Sequence, residues 1–363
     1  MPFARYLSWL ELRVSVFLAD ISRYGPNQTE KVSLDAARAY CRKLARGHYE
    51  NFSVLSPLVP VSRRDDFAAV YAFARWADDL GDEAGSTDRA TELLGWWRGE
   101  LNRLVAGEAQ HPVFLALQAT IYARGLAITP FTDLIAAFEL DQVKTRYATW
   151  DELKDYCRLS ANPVGRLVLA LLGESQSAEQ LAASDAVCTA LQLTNHWQDV
   201  RRDFLERGRI YVPADMHDIA DFDDRLARTL ARGFSCDATF FGETRRLVRR
   251  LVAKTWSEFD LGEPLLQSVT PTSRPLLWLF AAGGRSVLRN IERWNCETVM
   301  QRPTLSKPRK VMLLARAMLA ARCSLPLPSL PMSAEWIIDP DPDPDASKFP
   351  RTLSTAALET QDA

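Results

Sequence analysis

The stretch YAFARWADDLGDE, residues 71–83, ends an apolar helical pattern with a group of carboxylates. Four acidic residues, Asp78, Asp79, Asp82 and Glu83, fall within six positions. Like charges this close repel one another, so a helix that packs against a core needs a positive partner to carry them. Asp78 and Asp82 are four residues apart and therefore share a helix face. This spacing suits Mg²⁺, which typically joins one or two carboxylates to substrate phosphates, but a solvated acidic helix end explains a single D-x-x-x-D pattern as well.

A second acidic pattern occupies residues 192–213, QLTNHWQDVRRDFLERGRIYVP. Asn195, Asp199 and Asp203 are spaced four and four, so all three project from one helix face, which Gln192 shares. Two acidic helices that face each other across a cavity can hold a cluster of Mg²⁺ ions with a diphosphate between them. The two patterns together therefore predict that the positive partner is Mg²⁺, bound with a diphosphate substrate.

Basic and aromatic residues flank both patterns. Tyr71 and Arg75 precede the first pattern at four-residue spacing, which lets Arg75 reach a phosphate oxygen with its guanidinium. Arg209 and Tyr211 follow the second pattern. We expect all four residues to belong to the site.

Three other polar residues of the second pattern have structural explanations. Arg201 and Arg202 are expected to form a solvated face or to pair with neighbouring acids. His196 lies next to Asn195 but off the acidic face, so we expect a structural or surface histidine.

The composition of the chain excludes some classes of function. Of its 363 residues, 47% are hydrophobic and 25% charged, and the net charge of −2 gives no electrostatic reason to expect nucleic-acid binding. Its six cysteines contain no C-x-x-C pair, which predicts reduced thiols in a cytoplasmic protein. With four dispersed histidines, a zinc site is not expected.

Apolar residues recur at three- and four-residue spacing along most of the chain, so we predict an all-α fold. We expect a helical extension over residues 1–30, one helical domain over 31–322, and a Pro- and Asp-rich tail over 323–363 without regular helix. The N-terminal stretch is amphipathic and is expected to pack on its own domain, with peripheral contact to the inner membrane face as the alternative. The predicted helices are 31–46, 63–80, 88–106, 112–125, 130–145, 151–173, 178–206, 223–232, 239–262, 273–299 and 306–322.

The two acidic patterns resemble the paired motifs of the squalene/phytoene synthase family. The first reads Y-x-x-x-R-x-x-D-D-x-x-D and the second Q-x-x-N-x-x-x-D-x-x-x-D…G-R-x-Y-x-P, and the resemblance covers residues 40–315. It implies an isoprenoid-synthase-type helical domain with a central cavity between two Asp-rich helices. It also implies Mg²⁺-dependent ionisation of an isoprenoid diphosphate, with the metal ligands Asp78, Asp79, Asp82, Asn195, Asp199 and Asp203.

Two further stretches are similar to the hydroxysqualene synthase branch of this family. In HYENFSVLSPLVP, residues 48–60, the serines of the family's S-x-S-F segment are replaced, whereas Phe52 keeps the aromatic residue. In the stretch that starts at Tyr156, Asn162 stands where many relatives have glycine. This branch implies that presqualene diphosphate loses diphosphate, rearranges and captures water without NADPH. Neighbouring enzymes of the squalene and hopanoid pathway are the protein partners that it implies.

The resemblance also implies roles for individual residues. Arg75 is expected to contact the leaving diphosphate, Tyr156 to hydrogen-bond it or to stabilise the cation, and Asn162 to position the capturing water or to pack at a helix start. Phe138 is a further candidate for an aromatic wall, and core packing explains each such ring equally well. The expected catalytic residues are Tyr71, Arg75, Tyr156 and Asn162, and the expected substrate-binding residues are Phe52, Phe73, Gln192, Arg209 and Tyr211.

Other functions remain open at this point. An NADPH-dependent squalene synthase is the main alternative, followed by presqualene diphosphate synthase and phytoene synthase. No G-x-G-x-x-G follows a strand pattern, so a Rossmann nucleotide site is not expected. A non-catalytic assembly or binding protein of the same fold is a different class of function, but both acidic patterns are intact, which favours an enzyme.

Overall fold

All regular structure is helical in the part of the chain that the structure describes, which confirms the predicted all-α fold. The structure is a computed structural model, and it describes residues 17–27, 31–47, 56–233, 237–323 and 325–333. Its helices are α1 (17–24), α2 (Leu34–Gly47), α3 (Arg64–Asp82), α4 (Thr87–Val105), α5 (Pro112–Arg124), α6 (Thr129–Leu140), α7 (Trp150–Ser160), α8 (Asn162–Leu172), α9 (Ala178–Gln198), α10 (Val200–Arg207), α11 (Phe222–Arg232), α12 (Ala238–Leu261), α13 (Leu265–Ser268), α14 (Arg274–Arg293) and α15 (Lys307–Cys323).

Several helices begin after a residue whose side chain accepts a hydrogen bond from one of the first backbone N–H groups, which have no partner within the helix. The hydroxyls of Ser86, Thr149 and Ser177 accept from the N–H group three residues on, at 3.3, 3.1 and 3.2 Å. At the start of α9, Gln180 Oε1 accepts from the N–H of Gln176 at 2.9 Å. Hydroxyl and amide together therefore satisfy two donors at this helix end, in a variant of the capping box.

Two long predicted helices are divided in the structure. The predicted helix over 151–173 breaks at Ala161, because Pro163 in the first turn of α8 lacks the N–H that a continuous helix needs. The predicted helix over 178–206 breaks at Asp199 into α9 and α10. The N–H groups of Asp199 and Asp203 still bond four residues back, but the helical pattern is interrupted at Asp199, whose φ and ψ are −107° and 14°.

Two other predicted helices end early. The helix predicted to residue 145 ends at Leu140, where the Gln142 side chain donates at 3.2 Å to the helix-end carbonyl of Phe138. The helix predicted to residue 299 ends at Arg293, before two residues in the left-handed region at φ 53° and 56°. In both cases the local backbone and its hydrogen bonds, and not the spacing of apolar residues, set the end of the helix.

The two acidic patterns lie on helices at the centres of two packed clusters. Helix α3 contacts α2, α4, α5 and α6, and its Phe73 ring packs against Trp97, Phe114 and Phe131 in the first cluster. Helix α9 contacts α7, α8, α12 and α14, and its Trp197 is fully buried in the second cluster. Helices α6 and α8 touch α3, while α7 and α8 touch α9. The core therefore fixes the two pattern-bearing helices relative to each other.

Both ends of the described chain pack on this domain. Phe17 lies in the first cluster at 5% exposure, whereas residues 1–16 lie outside the described residues. Residues 325–333 run without helix along α14, where Trp278 Nε1 donates to the carbonyl of Pro328 at 2.9 Å. The rest of the tail, 334–363, lies outside the described residues. Within the described ranges no helix is both long and apolar enough to cross a bilayer.

Gly165→Ala tests the close packing of α8 on α9. A Cβ at Gly165 would stand 2.5 Å from both Cys188 Sγ and Ser184 Oγ. We expect the alanine to lower the free energy of unfolding by about 1–3 kcal/mol, as overpacking commonly does, in urea titrations followed by circular dichroism. The control Gly95→Ala, on the exposed face of α4 with no atom within 4 Å, should raise it by up to about 1 kcal/mol through helix propensity. Wild-type stability of Gly165→Ala would contradict this packing.

Candidate active site

Arg75 neutralises part of the first acidic pattern from within α3. Its side chain is 8% exposed, donates from Nε to Asp79 Oδ2 at 2.9 Å, and makes a second, shorter bond to the same carboxylate. Another guanidinium nitrogen lies 3.2 Å from Asp78 Oδ2. These residues are three and four positions apart, so the helical spacing brings them together. Arg75, predicted to bind diphosphate, is the counter-ion of both acids here, and Tyr71 lies within electrostatic reach of it.

The segment after α10 supplies the counter-ions of Asp82. Arg207 approaches Asp82 Oδ2 at 2.5 Å, and Arg209 approaches Oδ1 at 3.4 Å. Gly208 between them ends α10 with φ of 61°, a left-handed conformation that glycine adopts without strain. This turn directs both guanidiniums to one carboxylate of α3. Sequence reasoning selected Arg209 but missed Arg207, although Arg207 follows Asp203 at helical spacing.

A loop after α14 binds the second acidic pattern. Arg302 donates to both oxygens of Asp199, to Oδ2 at 3.0 Å and to Oδ1 at a shorter distance. The neighbouring Gln198 side chain donates to the carbonyl of Pro303, which connects the same loop to the end of α9. Arg302 and Asp199 are 103 residues apart, so no helical period could have linked them in the sequence.

Asp203 lies near the same arginines as Asp82. Burial and the charge of Asp199 raise the pKa of Asp203 to about 7, and the charges of Arg207 and Arg209 oppose that shift. Arg207 and Arg209 also bind Asp82, so their charges act on one acid of each pattern. The other acids have counter-ions of their own, Arg75 for Asp78 and Asp79 and Arg302 for Asp199.

The donor chemistry of the two patterns fits Mg²⁺, which prefers carboxylate and amide oxygens. Among the described residues, however, no group of three or more His, Cys, Asp or Glu side chains is close enough to hold a metal ion. Arginines bind the carboxylates that would have to converge on a metal. Arginines thus supply positive charge to these acids in this structure, and Mg²⁺ bound together with a diphosphate substrate stays a prediction. The amide residues of the second pattern lie on the last turns of α9, where Gln192 is half-buried and Asn195 is exposed.

A buried polar cluster adjoins these ion pairs. Tyr156 donates to Asp141 Oδ2 at 2.8 Å, and Tyr211 donates to Oδ1 at 3.4 Å. Arg209 donates to the backbone carbonyl of Asp141 at 3.1 Å, which connects the cluster to Asp82. Tyr156, Tyr211 and Arg209, which the sequence predicted as site residues from different stretches, thus all contact Asp141. The sequence did not single out Asp141, because it belongs to neither acidic pattern and its partners Tyr156, Arg209 and Tyr211 are 15, 68 and 70 residues away.

Structural explanations are confirmed for the other polar residues of the second pattern. His196 is buried, and its ring stacks on Tyr211 with the centroids 3.8 Å apart. Burial lowers the pKa of His196 to about 3, so this histidine is neutral. Arg202 pairs with Glu206 at 3.2 Å, and Arg201 donates to a backbone carbonyl at 3.4 Å.

The remaining predicted site residues lie apart from the ion pairs. Asn162, at the start of α8, is buried and accepts from Thr189 of α9 at 3.0 Å, so it joins two helices as a packing residue does. Phe73 lies inside the first core cluster, and Phe138 packs against that cluster. For both rings the structure favours the packing explanation. Phe52 lies outside the described residues.

Two surface cavities lie away from this site. One, of about 260 Å³, is lined by Trp96 and His111, among others, between the segment after α1 and helices α4 and α5. The other, of about 350 Å³, is lined by Trp278 of α14, Arg316 of α15 and residues 329–332. Neither contains a residue of the acidic patterns.

The chain belongs to the squalene/phytoene synthase family. The model of that family matches residues 45–309, which include both acidic patterns. The hydroxysqualene synthase of Rhodopseudomonas palustris is 42% identical over 172 residues, which are 47% of this chain, and the match spans only 57% of that relative's length. The phytoene synthase of Arthrospira platensis is 30% identical over 294 residues, covering 78% of this chain and 92% of that protein.

A solved structure is similar over most of the described domain. The squalene synthase HpnC from Alicyclobacillus acidocaldarius is 44% identical, with a TM-score of 0.63, and the match covers 74% of this chain and 97% of that one. This likeness confirms the isoprenoid-synthase-type helical fold that the resemblance implied.

Asp203→Asn should stabilise the metal-free protein at high pH. Above pH 7 the buried carboxylate is ionised and repelled by Asp199, and this cost declines as the pH falls toward the ordinary value of 3.8. We expect the amide to raise the free energy of unfolding by about 1 kcal/mol at pH 8 in EDTA, and by less at pH 5.5. Urea titrations at both pH values measure the difference.

Asp199→Asn serves as the control and should lower the free energy of unfolding, because it removes the partner of Arg302. A loss of stability in Asp203→Asn at pH 8 would show that the assigned repulsion is absent.

Proposed function

We propose that this chain is a hydroxysqualene synthase. It ionises presqualene diphosphate in the presence of Mg²⁺, and water captures the rearranged cation to give hydroxysqualene and diphosphate. The observation that supports the reaction most directly is that the carboxylates Asp78, Asp79, Asp82 and Asp199 of the two acidic patterns are each bound by an arginine. The 42% identity to a hydroxysqualene synthase supports this product, although that match spans only 57% of the relative's length.

Four arginines of the site suit a diphosphate. Arg75, Arg207, Arg209 and Arg302 each bind a carboxylate of the acidic patterns, and guanidiniums bind phosphate oxygens in the same forked way. If the acids take up a cation instead, these arginines become available for the phosphate oxygens. The exchange keeps the partly buried charges paired before and after substrate binds.

Bound Mg²⁺ would supply positive charge that stabilises the leaving diphosphate. The residues proposed to hold it are Asp78, Asp79, Asp82, Asn195, Asp199 and Asp203. Arg75 is already within 3.2 Å of one of these ligands, so it is well placed to contact the same diphosphate.

The cluster around Asp141 suits the cation half of the reaction. The rings of Tyr156 and Tyr211 have centroids 5.6 Å apart, and aromatic faces stabilise cations. Asn162 binds Thr189 through its carbonyl oxygen, so its NH₂ group is the side that would donate to the capturing water.

An NADPH-dependent squalene synthase is the second candidate, because the HpnC structure at 44% identity carries the name squalene synthase. A synthase that condenses two prenyl diphosphates is a further alternative, in line with the phytoene synthase relative. A non-catalytic binding protein of the same fold is disfavoured by the intact acidic patterns.

The proposed partner is a single small isoprenoid diphosphate. Peripheral membrane contact and association with neighbouring pathway enzymes stay predictions. The membrane prediction falls largely on residues 1–16, outside the described residues.

Product analysis tests the proposed function. Purified protein with Mg²⁺ is given presqualene diphosphate or farnesyl diphosphate, each with and without NADPH, and the products are separated by gas chromatography and mass spectrometry. We expect hydroxysqualene from presqualene diphosphate in both conditions. Squalene that appears only with NADPH would replace this assignment with squalene synthase, and turnover of farnesyl diphosphate alone would place the enzyme one step earlier.

Asp78→Ala and Asp199→Ala should each lower diphosphate release at least about 100-fold, because each removes a proposed ligand of the charge on the leaving group. A coupled assay for released diphosphate measures the rate, and circular dichroism checks the fold. Matched controls are Asp65→Ala on α3 and Asp185→Ala on α9, whose carboxylates are bound by arginines at 2.7 and 2.6 Å. The controls should keep their activity. Full activity in either site variant would remove that residue from the proposed metal site.

A further inference from the structure

Asp141 is a buried carboxylate to which the proposed reaction assigns no role. It is 7% exposed and caps the C-terminal end of α6. Helix α6 contacts α3, which carries the first acidic pattern, and also α7 and α8, which lead to α9. A buried charge is costly unless partners compensate it, so its contacts indicate why it is there.

One carboxylate connects four segments of the chain. Oδ2 accepts from Tyr156 of α7 at 2.8 Å, and Oδ1 accepts from Tyr211 of the segment after α10 at 3.4 Å. The Arg209 guanidinium lies 3.7 Å from Oδ2 and reaches Asp82 of α3 at 3.4 Å. Asp141 therefore stands at the junction between the first acidic pattern and the residues that follow the second.

The charge of Asp141 fixes the direction of these hydrogen bonds. An ionised carboxylate can only accept, so both phenols donate to it. Burial raises the pKa of Asp141 to about 6, against the opposing effects of Arg209 and the two tyrosines, so the group is mainly ionised at pH 7.5. The neighbouring His196 is neutral and adds no competing charge. Tyr156 consequently directs its proton at Asp141 and its oxygen lone pairs elsewhere.

We infer that Asp141 is a positioning residue that keeps the Tyr156 proton away from the diphosphate, so that Tyr156 stabilises the cation and does not donate to the leaving group. The inference rests on the proposed function and decides between the two roles that the sequence left open for Tyr156. Donation to a carboxylate polarises the phenol and makes its oxygen more electron-rich. Such an oxygen, fixed in place, favours positive charge that develops nearby. An amide at this position can donate to the phenol oxygen instead, which reverses the effect.

Tyrosine labelled with ¹³C at Cζ tests the hydrogen bond without substrate. The chain has nine tyrosines, and Tyr156→Phe identifies the Tyr156 resonance by its loss. In Asp141→Asn we expect this resonance to move upfield, the direction of weaker donation. The matched control Glu139→Gln makes the same change two residues earlier, at a carboxylate bound by Arg98 at 3.0 Å, and should leave the resonance in place.

An unchanged Tyr156 resonance in folded Asp141→Asn would overturn the inference. If Asp141→Asn does not fold, Tyr211→Phe gives the second measurement. This variant removes the other phenol that donates to the carboxylate and also the hydrogen bond between the Tyr211 and Tyr156 side chains, so Tyr156 should donate more strongly to Asp141 and its resonance should move downfield. No movement would again overturn the inference.

A double-mutant cycle tests the role in turnover. Wild type, Asp141→Asn, Tyr156→Phe and the double variant are compared on presqualene diphosphate with Mg²⁺. If Asp141 acts through Tyr156, each single variant lowers kcat about 10- to 100-fold with KM nearly unchanged, and the double variant is at most about twofold slower than the slower single variant.

If the decreases in kcat of the two single variants multiply in the double variant, the inference is overturned. A raised KM with kcat intact would also overturn it and would point to diphosphate binding through Arg209. A wild-type chain that does not turn over presqualene diphosphate would contradict the proposed function, and the ¹³C comparison would still decide whether Tyr156 donates to Asp141.

Discussion

Repulsion among the carboxylates of the two acidic patterns is the constraint that the rest of the site satisfies. Arg207 at the end of α10 and Arg209 after it bind Asp82, and Arg302 binds Asp199 from the loop after α14. Partly buried pairs of this kind are weakly screened by salt, and an acid left without its partner would be strongly destabilising. The pairs therefore hold α3, the junction of α9 with α10, and a distant loop in one arrangement.

The break at Asp199 and the turn at Gly208 contribute to this arrangement. Helix α10 starts at the break, so its axis departs from that of α9, and its last residue, Arg207, reaches α3. The left-handed glycine then reverses the chain at once, which allows Arg209 to bind the same carboxylate. Short elements with special backbone conformations, and not the long helices, thus set the direction of the functional side chains.

Helical period predicted those parts of the site that lie on one helix. Arg75 and Asp79 are four apart and form an ion pair, and Asp78 adjoins the same guanidinium. The contacts between helices follow no period, and Arg209 lies 127 residues from Asp82. Sequence reasoning therefore missed the ion pairs of Arg207 and Arg302, since arginines from distant segments are not visible as neighbours.

Asp141 was missed for a related reason. Its partners, Tyr156 and Tyr211, come from other segments, so only tertiary structure gathers them. The resemblance of the two motifs, in contrast, predicted the fold correctly, because it compares whole patterns and their separation. The break at Asp199 was not predicted either, because the apolar period of the sequence does not change there.

The ion pairs between arginines and acids also determine whether folding of the chain depends on metal. Because the counter-ions of the acids are part of the chain, the polypeptide can reach its folded form without drawing on cellular Mg²⁺. Proteins whose ligands lack such internal partners fold only when the metal arrives. Under the proposed function, folding of the chain and binding of Mg²⁺ are therefore independent, so a shortage of Mg²⁺ would slow turnover and leave the amount of folded protein unchanged.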